Sequence, residues 1–595
     1  MSVFAIRPRV GTLQPTASTR LGPGLLLCAA LLACRGAGPS VAPVPALPST
    51  LGTAAAAPPA PDRDGPRPLL SLLISTRVQN TTEPCGCTSD PLGDVARIAA
   101  LLRSTAGRGL LLDAGGLRYK PTRLAAEQAR QARLKADFLE QTWQSLGAVT
   151  MLQPTDLTGA GGAGELAPRL ASNVDGLPAD RIQAIAVRGV AGQRIGVVGL
   201  ADPARAWPVG VQVADPLPAA TRALDQLRAQ GATVFVALTG LPRDAARRLA
   251  RRLPDFHVVV AGGDDELTDG VADPERVGQT LLVVPAVEGQ RVVRIDLHAG
   301  EGGPLGWTLR RTAAQQQDQV RRLREQIDLA RARLAALRAD PNAEPAFVTA
   351  TAAESDRLAA ELAGVESPSP PPRGGYVTAA LLPMGRDQAR DPAVAAAMRD
   401  LDRRVGEANL QSLSAPPPAL PGQPHFVGVA GCLGACHFHD DAVEFWKGTH
   451  HATAYTTLVR GGKELSYDCV GCHAVGFDQP GGSNLRTLID WQRRPAGATQ
   501  PTLPDLRHVG CEVCHGPGSA HIAAPGKNPI PIRKPEADRC RICHTKDHSD
   551  TFDGLPYLRD ILGPGHGADR RAALPPGPTG HELRTAALKA RGGAH

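Results

Sequence analysis

Four short strings near the C-terminal end carry the residues best suited to chemistry: Cys432-Leu-Gly-Ala-Cys436-His437, Cys469-Val-Gly-Cys472-His473, Cys511-Glu-Val-Cys514-His515 and Cys540-Arg-Ile-Cys543-His544. Three read C-x-x-C-H, and the first has one more residue between its cysteines. Covalent haem attachment uses this set: two thiols reach the two vinyl groups on one porphyrin edge, and the histidine that follows ligates the iron from below. C-x-x-C pairs also serve zinc and thiol redox chemistry. A zinc ribbon, however, gives no reason for a histidine directly after every second cysteine. Cys432, Cys436, Cys469, Cys472, Cys511, Cys514, Cys540 and Cys543 are therefore expected to bind haem c. His437, His473, His515 and His544 are expected to be the proximal iron ligands. For the first string, a disulfide or free thiol pair beside a three-haem cytochrome is the alternative reading. The expected cofactor count is four haems, or three if the extra residue spoils that string.

The chain must position these strings within 595 residues, enough for three or four domains. Aromatics are only 3% of it, and a net charge of +7 is too small and too dispersed to argue for nucleic acid. Eight of the 12 cysteines sit in the four strings, and 14 of the 16 histidines follow residue 420. Metal-ligating chemistry is thus confined to the C-terminal part.

At the other end, Arg7, Arg9 and Arg20 flank a short apolar run from Leu21 to Ala33, with no acidic residue before it. The run is too short to span a bilayer and reads as a secretory signal over 1–34. Its ending, Leu31-Leu32-Ala33-Cys34, is similar to a bacterial lipobox, which implies lipidation at Cys34; an ordinary cleaved signal is the alternative. Export, to the periplasmic side of the membrane or to the outer membrane, agrees with haem attachment outside the cytoplasm. Residues 35–68 are Ala- and Pro-rich and read as a disordered tether.

Between 69 and 312 apolar runs alternate with helical spacing. Strands are expected over Leu69–Ile74, Gly109–Leu112, Arg194–Leu200, Thr233–Leu238, Phe256–Val260, Thr280–Val284 and Arg291–Leu297. Helices are expected over Asp94–Arg103, Leu124–Leu146, Pro218–Gln230 and Asp244–Arg252. The alternation argues a layered α/β domain. Glu83-Pro84-Cys85-Gly86-Cys87, Leu111-Leu112-Asp113-Ala114-Gly115-Gly116, Ser172-Asn173, Ile195–Leu200 and Val258–Gly263 together resemble the metallophosphatase-like, 5'-nucleotidase N-terminal domain that accompanies some multihaem cytochromes. A working two-metal phosphoesterase needs several His and Asp ligands at strand ends. Where that family has Asp-x-His, this chain has Ser75-Thr76-Arg77, and Leu238-Thr239-Gly240 and Gly263-Asp264-Asp265 stand where histidines belong. Asp113, Asn173 and Asp156 are the candidate survivors. His257 and His298 lie in strand-like runs and read as packed residues. The expectation is a metal-free relic used for scaffolding or binding. The pair Cys85 and Cys87 is left open between a structural turn and redox or ligand chemistry.

From 313 to 366, Val320, Leu323, Ile327, Ala330, Leu334 and Leu337 form one apolar seam, Asp340-Pro341-Asn342 breaks it, and Ala352–Leu362 reads as a returning helix. A helical hairpin packed on its own domain follows, with a dimerising coiled coil as the sharper alternative. Residues 367–424 read as a linker with one helix, Pro392–Leu410, before a Pro-rich hinge over 415–424.

From 425 to 595, Gly and Pro abound and long apolar runs are few, so short helices, long loops and haem-filled interiors are expected. Val427-Gly428, Trp446-Lys447-Gly448-Thr449-His450-His451-Ala452 and Val509-Gly510-Cys511-Glu512-Val513-Cys514-His515-Gly516-Pro517-Gly518-Ser519-Ala520-His521 make this segment resemble the tetrahaem cytochrome c-554 family. The resemblance implies His451, His521 and His566 as distal iron ligands and one haem without a second histidine. His425, His439, His450, His508 and His548 are left over. An electron carrier serving redox partner proteins, anchored to a membrane through lipid, is the expected function. A multihaem oxidoreductase acting on a small nitrogen or sulfur compound at a five-coordinate haem is the first alternative. A phosphoesterase with a cytochrome appendage is the second.

Overall fold

The computed structural model describes residues 67–590 other than 85, 121–123, 159–165, 264–272, 300–305, 367–373, 438–440, 496–503 and 547. The signal segment with Cys34, the tether up to residue 66, Cys85, His439 and the side chain of Cys436 lie outside the described residues.

The α/β body follows the alternation of its sequence. In chain order its elements are β1 (Leu70–Ser75), α1 (Val95–Ser104), β2 (Gly109–Asp113), α2 (Ala126–Ser145), β3 (Val149–Thr150), β4 (Arg169–Leu170), β5 (Val174–Asp175), β6 (Ile182–Gln183), β7 (Ile185–Val190), β8 (Gln193–Leu200), β9 (Gln212–Val213), α3 (Pro216–Ala229), β10 (Val234–Thr239), α4 (Arg243–Arg252), β11 (Val258–Ala261), β12 (Glu275–Val277), β13 (Thr280–Val283), β14 (Arg291–His298), β15 (Thr308–Arg310), α5 (Ala313–Ala339), α6 (Pro345–Glu366), β16 (Tyr376–Pro383) and α7 (Pro392–Gln411). Helix starts are set by side-chain caps: Asp94 accepts from Ala96 N, Asp215 from Leu217 N and Asp391 from Val394 N.

Two six-stranded sheets result, ordered β15-β16-β14-β1-β2-β3 and β12-β13-β11-β10-β8-β7. Their inner faces share one core, in which Leu72, Ile74 and Leu112 of the first sheet belong with Val197, Val236 and Val260 of the second. The outer face of the first sheet is covered by α1, α2 and α7, and that of the second by α3 and α4. Helix, sheet, sheet and helix therefore stack as four layers. Strands β1, β2 and β3 run parallel, as do β8, β10 and β11, so the carboxyl ends of both sets converge at one rim.

The stretch 367–424, whose composition marks it as a linker with one helix, instead contributes β16 and α7 to the body. β16 pairs antiparallel with β14 over Arg291–His298 and parallel with β15, and α7 buries Val394, Met398, Leu401 and Val405 against α1 and α2. The body thus extends past 312, and the hairpin α5–α6 is inserted between two of its strands. The hairpin's seam is thin: Leu323 and Ile327 are buried against Leu358, whereas Leu334 and Leu337 are only half-covered. α6 begins at Pro345, earlier than the expected returning helix, because the Asp340 cap and the residues 341–344 suffice to reverse the chain.

His257 and His298 are packed rings. His257 stacks on Phe235 and Trp307, its Nδ1 accepts from Phe235 N, and burial pushes it down to about 4. His298 stacks on Tyr376.

Beyond residue 425 the described helices up to Ala572 are no longer than eight residues, and small apolar clusters around Tyr455 and Phe426 take the place of one large core.

Candidate haem centres and a closed rim on the α/β body

At the rim of the body, each surviving acidic group is occupied by protein donors. Asp113, fully buried, accepts from Ser75 Oγ, from Trp143 Nε1 (3.2 Å) and from Gly115 N (2.8 Å). Desolvation pushes its carboxyl up to about 6, with the Asp156 charge adding to the rise. Asp156 accepts from Gly116 N, Arg118 N and Gln153 N. Asn173 bridges Ala201 and Ala214 of the backbone. Thr239 donates to Val260 O, and Gln153 Nε2 to Ala114 O and Gly262 O. Guanidinium groups fill the remaining space: Arg77 and Arg118 are both nearly fully buried, and Arg118 lies beside Glu140. Among the described residues no group of three or more His, Cys, Asp or Glu converges as a metal site. The rim is shaped by hydrogen bonds and buried cations, the opposite of an electrostatic trap for two divalent ions.

The attachment strings come together pairwise. The thiols of Cys432 and Cys511 lie beside each other, bringing the first and third strings together, and those of Cys472 and Cys543 do the same for the second and fourth. Helix Gly428–Cys432 runs into a π-helical turn over Leu433–His437. A π turn absorbs one more residue than an α turn. That turn takes up the additional residue of the first string.

Proximal and distal rings are held by their Nδ1 atoms. His473 Nδ1 lies 2.7 Å from Ala454 O, His515 Nδ1 2.7 Å from Ile532 O, His521 Nδ1 2.7 Å from Asn528 O and His566 Nδ1 2.6 Å from Ile561 O. His544 Nδ1 is 3.1 Å from Ser549 Oγ, which also meets Tyr557. A carbonyl accepting from Nδ1–H fixes the tautomer that leaves Nε2 free for iron.

Two pairs of rings also lie close together, the first tilted by 48° and the second edge-on at 83°. His451 and His544 have centroids 6.2 Å apart, and His515 and His566 5.9 Å. With metal–nitrogen bonds of about 2 Å and ring centres about 1 Å beyond, two imidazoles on one metal have centres about 6 Å apart. Burial pushes His451 down to about 4, so the ring is neutral, as a ligand must be. His521 rides on helix Ser519–Ala523 beside the first string: a methyl added at Gly431 would lie 3.8 Å from Ile522 Cδ1. His508 is differently used. Its Nδ1 accepts from Tyr455 N, which puts the ring proton on Nε2 and disqualifies that nitrogen as a ligand.

Sequence reading missed three features. Glu512, 2% exposed inside the third string, accepts from Val427 N, Gly428 N and Gly518 N and so clamps the first string's approach to the Gly-Pro-Gly-Ser turn; an acid placed between two haem cysteines is the signal that could have found it. His450 and His581, both exposed, have centroids 5.8 Å apart, yet neither adjoins an attachment cysteine. The Nδ1 acceptors are mostly backbone carbonyls, for which sequence carries no signal.

A cavity of about 2110 Å³ is lined by Cys469, Cys472, His473, Cys540, Cys543 and His544. Its opposite wall comes from the α/β body, including Thr82, Glu83, Cys87, Tyr119 and Lys135. Thiols in pairs, imidazoles with Nε2 free and a cavity of porphyrin dimensions fit haem c.

These features are the residue set of a haem c-binding segment, on a chain whose other part is a two-sheet α/β body. Residues 432–516 match the family model described as cytochrome c554 and c-prime, so the C-terminal segment carries a cytochrome c554 domain. Cytochrome c-554 of Nitrosomonas europaea is 32% identical over 123 residues, 18% of this chain and 42% of that protein. The C-type polyheme cytochrome OmcB of Geobacter sulfurreducens is 34% identical over 76 residues, 13% of this chain and 9% of that protein. The chain thus spans less than half the length of these curated relatives. Among solved structures, a 5'-nucleotidase precursor from Thermus thermophilus is similar at 19% identity and a TM-score of 0.38, over 64% of this chain and 67% of that one.

Proposed function

We propose that this protein is an exported, lipid-anchored tetrahaem cytochrome c that carries electrons between redox partner proteins, with the α/β body as its scaffold. The observation that carries the reading is the approach of His451 to His544 and of His515 to His566, with ring centroids at the spacing of two ligands on one iron. Two imidazoles close an iron to substrate and leave it an electron carrier. Bound haem c supplies a one-electron iron couple at each site. The chain's residues would do the rest: the two cysteines of each string fix one ring edge, and Nδ1 acceptors hold His473, His515, His521, His544 and His566 in register.

The first 34 residues support export and lipidation at Cys34, through their basic flank, short apolar run and terminal cysteine. Among the described residues no helix is long and apolar enough to cross a membrane.

One observation favours the oxidoreductase as second reading. His473 has its Nδ1 spent on Ala454 O and the nearby His508 has its Nδ1 spent on Tyr455 N, so a haem held by His473 would keep an open position on the His508 side. That position would take a small ligand.

The test is haem content and spin state of the mature protein made with a cytochrome c maturation system. Four haems per chain by reduced pyridine-haem absorbance, three low-spin and one high-spin by electron paramagnetic resonance, is the expected result. An absence of haem overturns the proposal. Turnover of a small nitrogen or sulfur compound, together with its binding to the high-spin iron, replaces it by the oxidoreductase reading.

A further inference from the structure

The hairpin α5–α6 leaves one of its sides uncovered. It is inserted between β15 and β16 and tied to the body at its base, where Gln315 Nε2 donates to Ala379 O of β16 (2.8 Å). Its core is Leu323, Ile327 and Leu358, and the residues packed against these come from the same two helices. Helices of 27 and 22 residues take most of their stability from a packed apolar face, and this seam supplies little of one. One side of the pair is bridged by Arg324 and Glu366 at 2.7 Å. Five residues from each of these, about 140° around its helix, stand Leu329 and Glu361. On that side two stripes at helical spacing are exposed: Arg322, Leu329 and Arg333 on α5, and Phe347, Glu354 and Glu361 on α6. Leu329 is 71% exposed and Phe347 57%.

Charge along the hairpin comes in blocks. The tip half of α5, 329–339, holds Arg331, Arg333 and Arg338 and no acid, whereas the base half of α6, 354–366, holds Glu354, Asp356, Glu361 and Glu366 against Arg357 alone. The tip half of α6, 345–353, is uncharged, and the base half of α5, 313–328, balances three arginines with three acids. A block of +3 thus sits at the tip and a block of −3 at the base. Two copies lying in the same direction, α5 beside α6, would set each charged block against a neutral one. Turned antiparallel about a two-fold axis, they set each positive block against a negative one, twice over.

We propose that the exposed side of the hairpin docks on the hairpin of a second copy of this chain, antiparallel, as a four-helix bundle in which the arginine block of each α5 lies along the acidic block of the other α6. Leu329 and Phe347 are then removed from water, and the thin seam gains a second layer. An anionic membrane fits less well, because Glu354 and Glu361 share the side that carries Leu329 and Phe347. None of these residues belongs to the haem segment, so the contact stands or falls apart from the cytochrome reading.

The experiment is sedimentation velocity of the full-length, haem-loaded chain in detergent, over a concentration series at low and high salt, with two block variants. One carries R331E, R333E and R338E, the other E354R, D356R and E361R; all six positions are exposed, and circular dichroism checks that helix content is kept. The expected result is a dimer that salt weakens and that either variant alone weakens by at least about tenfold in Kd. An equimolar mixture of the two variants should recover the dimer, because every block again meets its opposite, and a merely damaged hairpin would give no such recovery. Monomer at every concentration overturns the proposal, as does a dimer that both variants leave intact. Variants that keep their helix content, dissociate and do not recover on mixing overturn it as well. Monomers that float more completely with phosphatidylglycerol than with phosphatidylcholine vesicles, a preference lost in the arginine variant, also overturn it and assign the face to a membrane.

Discussion

Single side chains decide what each half of the molecule can do. Asp113 was legible from sequence as a survivor of a metal site, but not that Ser75, Gly115 and Trp143 would consume its acceptors, because those contacts form only when β1, β2 and α2 are packed. Its raised carboxyl makes a pH prediction. Between its ordinary value near 4 and its folded value of about 6 the native state holds a proton that the unfolded chain has lost. Stability therefore falls as pH rises through that window, by at most about 3 kcal/mol, and levels off above it. Asp113→Asn should flatten this slope in urea unfolding measured from pH 4 to 7. Glu512 is the counterpart in the haem segment. Glu512→Ala strands three backbone N–H donors, so a loss of at least about 3 kcal/mol is expected, read as a lowered unfolding midpoint. Recovery of full stability by alanine at this position would show that the clamp is idle.

At the scale of elements, periodicity located seven strands and four helices of the α/β body to within a few residues, since their apolar runs are bounded by Gly, Pro and Asp. β16 escaped because Tyr376-Val-Thr-Ala-Ala-Leu-Leu-Pro383 follows a proline-rich stretch, and strand pairing across the whole of 299–375 has no local signature. The two-residue ladders of β4 with β6 and β5 with β9 are too short to leave a pattern. In the haem segment the attachment strings were plain, whereas the π turn that reconciles the first string's spacing was not. Deleting Gly434 restores C-x-x-C-H and should let the turn wind as α, leaving the haem count by intact mass unchanged. A gain of one haem on deletion would mean that the natural spacing is defective. The adjacency of thiols also predicts how the chain fails. Secreted without haem attachment, it should form Cys432–Cys511 and Cys472–Cys543 crosslinks, detectable by non-reducing peptide mapping.

Across the whole molecule, the body and the haem segment are joined by polar contacts that no sequence motif announced. Lys463 bonds Glu83 and, at 2.7 Å, Asp402; Lys135 meets Asp468 at 2.6 Å; Asn409 donates to Leu465 O and Gln131 Oε1. Partners far apart in sequence meet only after both parts fold, so composition could show two regions and a hinge but not their docking. Lys463→Ala leaves Glu83 and Asp402 facing each other without a cation. A loss of roughly 1–3 kcal/mol of docking is expected for such a partly buried pair, seen as faster proteolysis within the Pro-rich stretch 415–424 at unchanged haem content.

The position of β16 has a consequence for how the molecule is made. A polypeptide emerges from its N-terminus, and domains fold as they appear. Yet the first sheet lacks an inner strand until Pro383 has emerged, because β16 lies between β15 and β14 and the whole α5–α6 hairpin precedes it. Until then β14 presents an open edge, a ready template for unwanted pairing. The attachment strings leave later still, so the wall of their cavity stands complete before the first cysteine needs its porphyrin. Biogenesis is therefore ordered by the chain itself, with the scaffold closing late and the cofactors arriving last.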